Sequence, residues 1–183
     1  LDVSNNTALE GLWMYDNNLT NIDISNNTSL TDFRCAGNQL THLDVTNNIA
    51  LNVLDCSYNQ ISNLDVSNNT ALTLLHCRHN QLTNFDVSNN TSLTDLRCSV
   101  NQLTYLDVTN NIELEVLICH ENQISNLDVS NSDSLIMLWC YTNNLTNIDI
   151  SNNTVLDDFR CAGNQLTHLD LTNNPDLKVF DCQ

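Results

Sequence analysis

Eight cysteines lie at a constant spacing of 21 residues, and thiols are the most reactive groups in the chain. They are Cys35, Cys56, Cys77, Cys98, Cys119, Cys140, Cys161 and Cys182. Thiols at fixed spacing could form disulfides, bind a metal or act as nucleophiles. However, the matching position of the first repeat holds Met14, and a stacked column of thiols cannot all be bridged with good geometry. We therefore predict buried free thiols; the alternatives are some disulfides, or a metal or catalytic role.

Nine aspartates recur with the same spacing, each followed two positions later by Ser or Thr. They are Asp2, Asp23, Asp44, Asp65, Asp86, Asp107, Asp128, Asp149 and Asp170. Like charges in register repel one another, so something must compensate. We favour hydrogen bonds from the nearby hydroxyls and turn amides, which would stabilise the ionised form. One alternative is a row of calcium ions, although the chain has no Asp-x-Asp-x-Asp or Gly-rich calcium loop. A role in recognition is the other.

His76 and His79 flank Cys77 and superficially suggest a zinc site. Alternate residues of a strand point to opposite sides, and Cys77 belongs to the inward column while His76 points outward. The three side chains cannot easily share one ion. We predict no metal and no other cofactor.

A 21-residue period of this kind predicts a solenoid. Each repeat holds two short phrases of the form apolar-x-x-apolar-x-apolar-x-x-Asn, such as Leu9 to Asn17 followed by Leu19 to Asn27. Apolar residues two apart indicate a short strand with one buried face. We call the extended segment around Cys35 segment A and the one around Ile24 segment B, and their outward sides face A and face B. The Asn residues mark two tight turns, where an amide can satisfy both backbone donors and acceptors.

The combined pattern LxxLxCxxNxLxxLDVxxN resembles the short, 21-residue, doubly nested class of bacterial leucine-rich repeats. It recurs in all eight complete rows. The departures are Met14 for Cys, Ser132 for Asn, and Phe33, Phe85, Phe159 and Phe180 for Leu. The resemblance implies a parallel β-solenoid, found largely in secreted or surface-attached proteins that recognise other molecules, and it implies no catalytic residues.

From this we expect parallel short strands on both faces, little or no helix, and weak curvature, because two extended sides should stack at equal spacing. Residues 1–183 form one array of eight complete repeats and a partial ninth, without a linker, since the chain has three glycines and one proline. We expect it to be a fragment of a longer protein. Open terminal coils would allow end-to-end self-association.

Face A is the candidate binding surface because its outward residues vary from row to row. Aromatic and arginine side chains dominate binding energy at interfaces, and all five basic residues lie on this face or its edge. The candidate partner-binding residues are Trp13, Tyr15, Arg34, Asp55, His76, Arg78, Arg97, Ile118, His120, Trp139, Tyr141 and Arg160. Against this, the arginines could simply neutralise Asp32, Asp95 and Asp158, and the aromatic pairs could be inherited from duplication.

The net charge of −17 argues against nucleic acid and against docking on anionic lipid. No apolar run approaches the roughly 18 residues needed to cross a bilayer, and no signal-peptide pattern is present. The leading hypothesis is a non-enzymatic module of a secreted or cell-surface protein that binds a protein through face A. The alternatives are glycan binding through the exposed Trp and Tyr residues, or a structural spacer. No nucleophile, base and orienting group converge, so an enzyme is not predicted.

Overall fold

The computed structural model describes residues 1–183 and contains nine parallel strands in a single sheet, ordered as in the sequence. The strands are β1 (Gly11–Trp13), β2 (Asp32–Arg34), β3 (Val53–Asp55), β4 (Leu74–His76), β5 (Asp95–Arg97), β6 (Val116–Ile118), β7 (Met137–Trp139), β8 (Asp158–Arg160) and β9 (Val179–Asp181). Each strand pairs in register with the same residues one repeat later, so that Phe33 lies beside Leu54. The predicted β-solenoid without helix is confirmed. The chain therefore contains no helix long and apolar enough to cross a membrane.

Alternation along each strand builds the core. The middle residue points inward and is fully buried from β2 to β8, whereas the flanking residues are only partly covered in most of them. The inward residues of both segments form one cluster of 43 buried side chains, which runs from Val3 to Cys161. One continuous core of this kind makes the chain a single stack of coils rather than two domains.

The cysteine column lies inside this core, as predicted. All eight thiols are free, and seven are buried; Cys182 in the last coil is exposed. Burial raises the pKa of Cys98 to about 12, and it raises the pKa of Cys77 as well. The seven buried thiols are therefore protonated and act as small apolar groups.

Face B differs from the prediction, because segment B forms no strand. Each coil instead makes two successive turns there: Asn48 N donates to Val45 O over 3.0 Å, and Leu51 N donates to Asn48 O over 3.1 Å. The physical reason is visible at Thr46, whose backbone N–H donates to the Asp44 carboxylate of its own coil rather than to a neighbouring coil. The expectation of strands on both faces is therefore wrong for face B. The expected weak curvature was argued from strands on both faces, and only face A has them.

The chain turns away from each strand through a residue with left-handed backbone conformation. The residue two positions after Met14, and after each cysteine from Cys35 to Cys161, has φ between 51° and 70°. These residues are Asp16, Gly37, Tyr58, His79, Val100, Glu121, Thr142 and Gly163. At Gly37 a β-carbon would clash with the Asp16 carboxylate and lie 3.2 Å from the Asp16 Cα, so glycine avoids a close contact there. The next residue is the corner asparagine, and Asn38, for example, is buried and donates to the carbonyls of Met14 and Cys35.

Candidate partner-binding face

Face A is built from the outward side chains of β1 to β9 and from the second residue after each strand, because the first is the inward cysteine or Met14. The first and third residues of each strand point outward, and the in-register pairing stacks them into columns along the array. Eleven of the twelve predicted binding residues are at least partly exposed in these columns. Ile118 is the exception: its side chain is only 6 % exposed, because it lies in register between the much longer side chains of Arg97 and Trp139.

Three arginines of face A are held by aspartates of their own strands. Arg34 makes two hydrogen bonds to Asp32, of 2.7 and 3.0 Å. Arg160 makes the same bidentate contact with Asp158, of 2.9 and 3.0 Å. These hydrogen bonds raise the pKa of both guanidinium groups. The sequence-based interpretation that these arginines neutralise local carboxylates is confirmed, and the pairing also fixes their orientation.

The third pair is part of a larger polar group. Arg97 donates two bonds of 2.8 Å to Asp95, and His76 Nε2 lies 3.2 Å from the same carboxylate, although without hydrogen-bond alignment. Burial acts to raise the pKa of Asp95, but the contacts with His76 and Arg97 outweigh it, and the pKa is lowered. Asp95 is therefore ionised and fully engaged by face A itself.

Planar groups stack closely at the far end of the face. The rings of His120 and Tyr141 are 4.1 Å apart and nearly parallel, at 8°. Trp139 has the Arg160 guanidinium 4.3 Å from its ring centroid and the His120 ring at 6.4 Å. Desolvation lowers the pKa of His120, so the imidazole is neutral at pH 7. The cluster of His120, Trp139, Tyr141 and Arg160 is thus rigid before any partner arrives.

A second stack was missed by sequence reasoning. Tyr58 and His79 lie 4.2 Å apart at 15°, and the Arg78 guanidinium is 5.3 Å from the Tyr58 ring centroid. Both aromatic residues occupy the left-handed corner position, which the sequence pattern suggested only as part of a turn. Tyr58 and His79 are 21 residues apart, so the repeat could have identified the corner residues as a third outward column.

The first coil presents its aromatic pair differently. Trp13 is 67 % exposed and Tyr15 is 39 % exposed, and Tyr15 is held only by a bond of 3.4 Å that its hydroxyl accepts from Arg34 Nη1. The corresponding residues Trp139 and Tyr141 are stacked and partly covered. Sequence-equivalent pairs therefore offer different surfaces, open rings in the first coil and packed rings in the seventh.

Face B is occupied by its own hydrogen bonds. Asp44 Oδ1 accepts from the Thr46 amide at 2.9 Å and from its hydroxyl at 2.6 Å, and Asp86 accepts from the Ser88 amide at 2.8 Å. The pKa of all nine aspartates is lowered, chiefly by hydrogen bonds from the residue two positions later. Local bonding therefore compensates the charge repulsion, as favoured from the sequence. Calcium along this column stays the alternative to the predicted absence of a cofactor.

The solved structure of the functional domain of InlJ from Listeria monocytogenes is similar to this chain over its whole length, with a TM-score of 0.99 and 43 % sequence identity, and it includes a cysteine ladder. The chain is a leucine-rich repeat protein of the short bacterial class with 21-residue coils. It spans 41 % of the InlJ chain. No family model matches the sequence, and no curated protein matches it either.

Two further structures share the fold of this leucine-rich repeat array. An internalin, InlF of Listeria monocytogenes, has a TM-score of 0.88 at 24 % identity, and the match covers 98 % of the array and 62 % of InlF. A leucine-rich repeat protein of Leptospira interrogans has a TM-score of 0.87 at 22 % identity, covering 94 % of the array and 49 % of that protein. The array therefore spans about half the length of these relatives.

Proposed function

We propose that this leucine-rich repeat array is a protein-binding module of a secreted or cell-surface protein, and that face A carries the binding surface. The observation that carries the proposal is the contrast between the two faces. Face A groups stacked aromatic, imidazole and guanidinium groups on a rigid sheet, whereas face B repeats one aspartate that is already bonded within each coil. Preorganised aromatic and arginine side chains lose little entropy on binding and dominate interface energy.

The proposed role is binding without catalysis. The thiols are the strongest potential nucleophiles of the chain, but burial raises the pKa of Cys56 and withholds its sulfur from solvent. Surface depressions lie on face B around Phe85 and Asp86 and along the coil edge around Ile136, and none of the stacked groups lines them. A flat, outward-facing surface suits a macromolecule better than a small substrate.

The ring geometry favours a protein partner over a glycan. A sugar ring stacks on an open aromatic face, but Trp139 is flanked by Arg160 in the next coil and by His120 in the preceding one. Tyr141 is already stacked on His120. Only the first-coil Trp13 keeps its ring largely open. Packed rings that offer edges and polar groups are typical of protein interfaces.

Two matched variants test the proposal. The double variant Trp139→Ala, Tyr141→Ala removes the stack from face A, and Tyr105→Ala removes a 61 % exposed tyrosine from the other side, where its hydroxyl donates to Asp107. Both are assayed with the parent against a panel of extracellular proteins and a glycan array. We expect protein binders whose affinity falls at least about 30-fold in the double variant and is unchanged by Tyr105→Ala.

Two results would overturn this proposal. One is glycan binding that Trp13→Ala abolishes, which would assign the surface to sugars. The other is protein binding that the double variant leaves intact, which would place the interface elsewhere. If neither array gives a binder, the spacer alternative replaces the binding proposal.

A further inference from the structure

Arg78 differs from every other cation of the protein, because it has no carboxylate partner. Arg34, Arg97 and Arg160 are each paired with an aspartate of their own strand, and Lys178 is paired with Asp157. No carboxylate oxygen lies within 4 Å of Arg78. In a chain with 22 acidic and 5 basic residues, a partner for each cation is easily found, so an unpaired arginine on the binding face points to a ligand.

The surroundings of Arg78 supply no negatively charged acceptor. Its Nε is buried without a hydrogen-bond partner, and its guanidinium lies over Tyr58, which is stacked on His79. Its neighbours in the outward column are Ser57 and Ser99, both buried, and the Ser57 hydroxyl also has no partner. A charged donor left without an acceptor in a partly buried place costs free energy that a ligand carboxylate would recover.

Aspartates of the neighbouring strands are engaged elsewhere. Asp55 accepts from the Ser57 amide at 3.1 Å, and Asp95 is held by Arg97. Bending either aspartate towards Arg78 would break these contacts, and Glu121 lies beside His120 Nδ1, at 3.3 Å, rather than at Arg78. The vacant acceptor position at Arg78 is therefore not filled from within the protein.

We propose that Arg78 is a docking point for a glutamate or aspartate side chain in an acidic segment of the protein partner. This inference rests on the proposed function of face A and specifies the chemistry of its ligand. The planar guanidinium, oriented by Tyr58, matches a carboxylate in bidentate geometry. The three paired arginines of the face each already hold a carboxylate, so Arg78 is the arginine that is left to bind an acidic group of the partner.

The arginine Nε–H resonances of the ¹⁵N-labelled protein give a direct test with internal controls. The titrant is a capped peptide of alternating glycine and glutamate, at about 0.15 M salt, where the screening length is about 8 Å and the net negative charge is largely masked. We expect a saturable shift of the Arg78 resonance and none at Arg34, Arg97 or Arg160. The matching glutamine peptide should produce no shift.

Three results would overturn the inference. They are no saturable shift at Arg78, equal shifts at all four arginines, and a shift with free glucuronate as large as with the glutamate peptide. The last would assign the site to an acidic sugar.

Variants supply the second readout. Arg78→Gln should weaken glutamate-peptide binding at least about tenfold. The affinity of Arg78→Lys should lie between those of Arg78→Gln and the parent, because lysine keeps the charge and loses the bidentate geometry. Lys178→Gln is the control and should leave peptide binding within about twofold of the parent, since Lys178 is already paired with Asp157. Unchanged unfolding midpoints would show that all three variants are folded.

The same variants separate this inference from the proposed function. Protein binders that depend on Trp139 and Tyr141 but are indifferent to Arg78→Gln would refute the Arg78 assignment and leave the binding face standing. Peptide binding at Arg78 without any protein binder for face A would refute the proposed function alone.

Discussion

Asparagine side chains close both corners of every complete coil except one, but the two columns are bonded differently. At the corner after segment A, Asn59 is satisfied on both sides of its amide: Nδ2 donates to the carbonyls of Cys35 and Cys56 at 3.1 Å, and Oδ1 accepts from the Leu40 amide at 2.9 Å. At the corner after segment B, Asn48 Nδ2 donates to two carbonyls, while Oδ1 has no partner. The first column therefore depends on the donor and the acceptor together.

This dependence predicts that Asn59→Asp is strongly destabilising. The substitution keeps the acceptor for the Leu40 amide but replaces the donor with a carboxylate oxygen that faces carbonyl oxygens. We expect the free energy of unfolding to fall by at least about 3 kcal/mol at pH 7, measured by urea denaturation. The loss should be smaller at pH 4, because a protonated carboxyl can donate again.

The control for Asn59→Asp is Asn52→Asp, at an asparagine that is exposed and should cost less than about 1 kcal/mol. Equal losses in the two variants would mean that the buried amide is not acting as a donor to the backbone.

At the scale of structural elements, the corner after each strand demands a left-handed residue, and the sequence meets this demand unevenly. Glycine occupies the position at Gly37 and Gly163, where φ is 70° and 63°. Val100 adopts φ of 55° at the equivalent place, although a β-branched side chain is the least suited to this conformation. The backbone is held there by the coil-to-coil hydrogen bonds on both sides, such as the bond of 3.0 Å that Val100 N donates to His120 O.

We therefore predict that Val100→Asn stabilises the array. Left-handed backbone costs most L-residues roughly 1–2 kcal/mol, and asparagine tolerates it better, so the free energy of unfolding should rise by about 1 kcal/mol. The matched control is Val155→Asn, at an exposed valine with ordinary backbone, which should change stability by less than about 0.5 kcal/mol. A loss of stability at Val100 in urea denaturation would contradict the strain argument.

The repeat of the sequence predicted the strands of segment A correctly. It predicted strands in segment B wrongly, because side chains there compete with the backbone for hydrogen bonds. The buried column through Leu54 and Cys56 follows from alternation alone, because inward residues recur every second position. Segment B alternates in the same way, yet the Asp44 carboxylate takes the Thr46 amide that a strand would offer to its neighbour. Hydrophobic periodicity reports which side is buried and not which acceptor the backbone chooses.

The candidate site was predictable only as a set of columns. Alternation placed Arg97 and Trp139 on face A, but the burial of Ile118 depends on the lengths of those two neighbours in the stack. The Tyr58 and His79 stack depends on a left-handed corner that only the folded backbone reveals. Contacts between coils arise between residues 21 positions apart, and their geometry follows from packing rather than from local sequence.

At the scale of the whole molecule, nine aspartates form a row along face B, one in each coil. Like-charged neighbours act to raise the pKa of Asp65 and Asp128, but the hydrogen bonds from Ser67 and Ser130 are larger effects, and both pKa values are lowered. The same sign holds for all nine aspartates of the row. Folding therefore strengthens these acids in spite of the net charge of −17.

This sign predicts that acid destabilises the array. A carboxyl whose folded pKa lies below the unfolded value of about 3.9 contributes stability that is present above that value and lost as the pH falls through the folded pKa. We expect a lower urea midpoint at pH 3 than at pH 6, with most of the loss below about pH 4. Relief of charge repulsion acts in the opposite direction, so a midpoint that rises on acidification would show that repulsion along face B outweighs the hydrogen bonds of its aspartates.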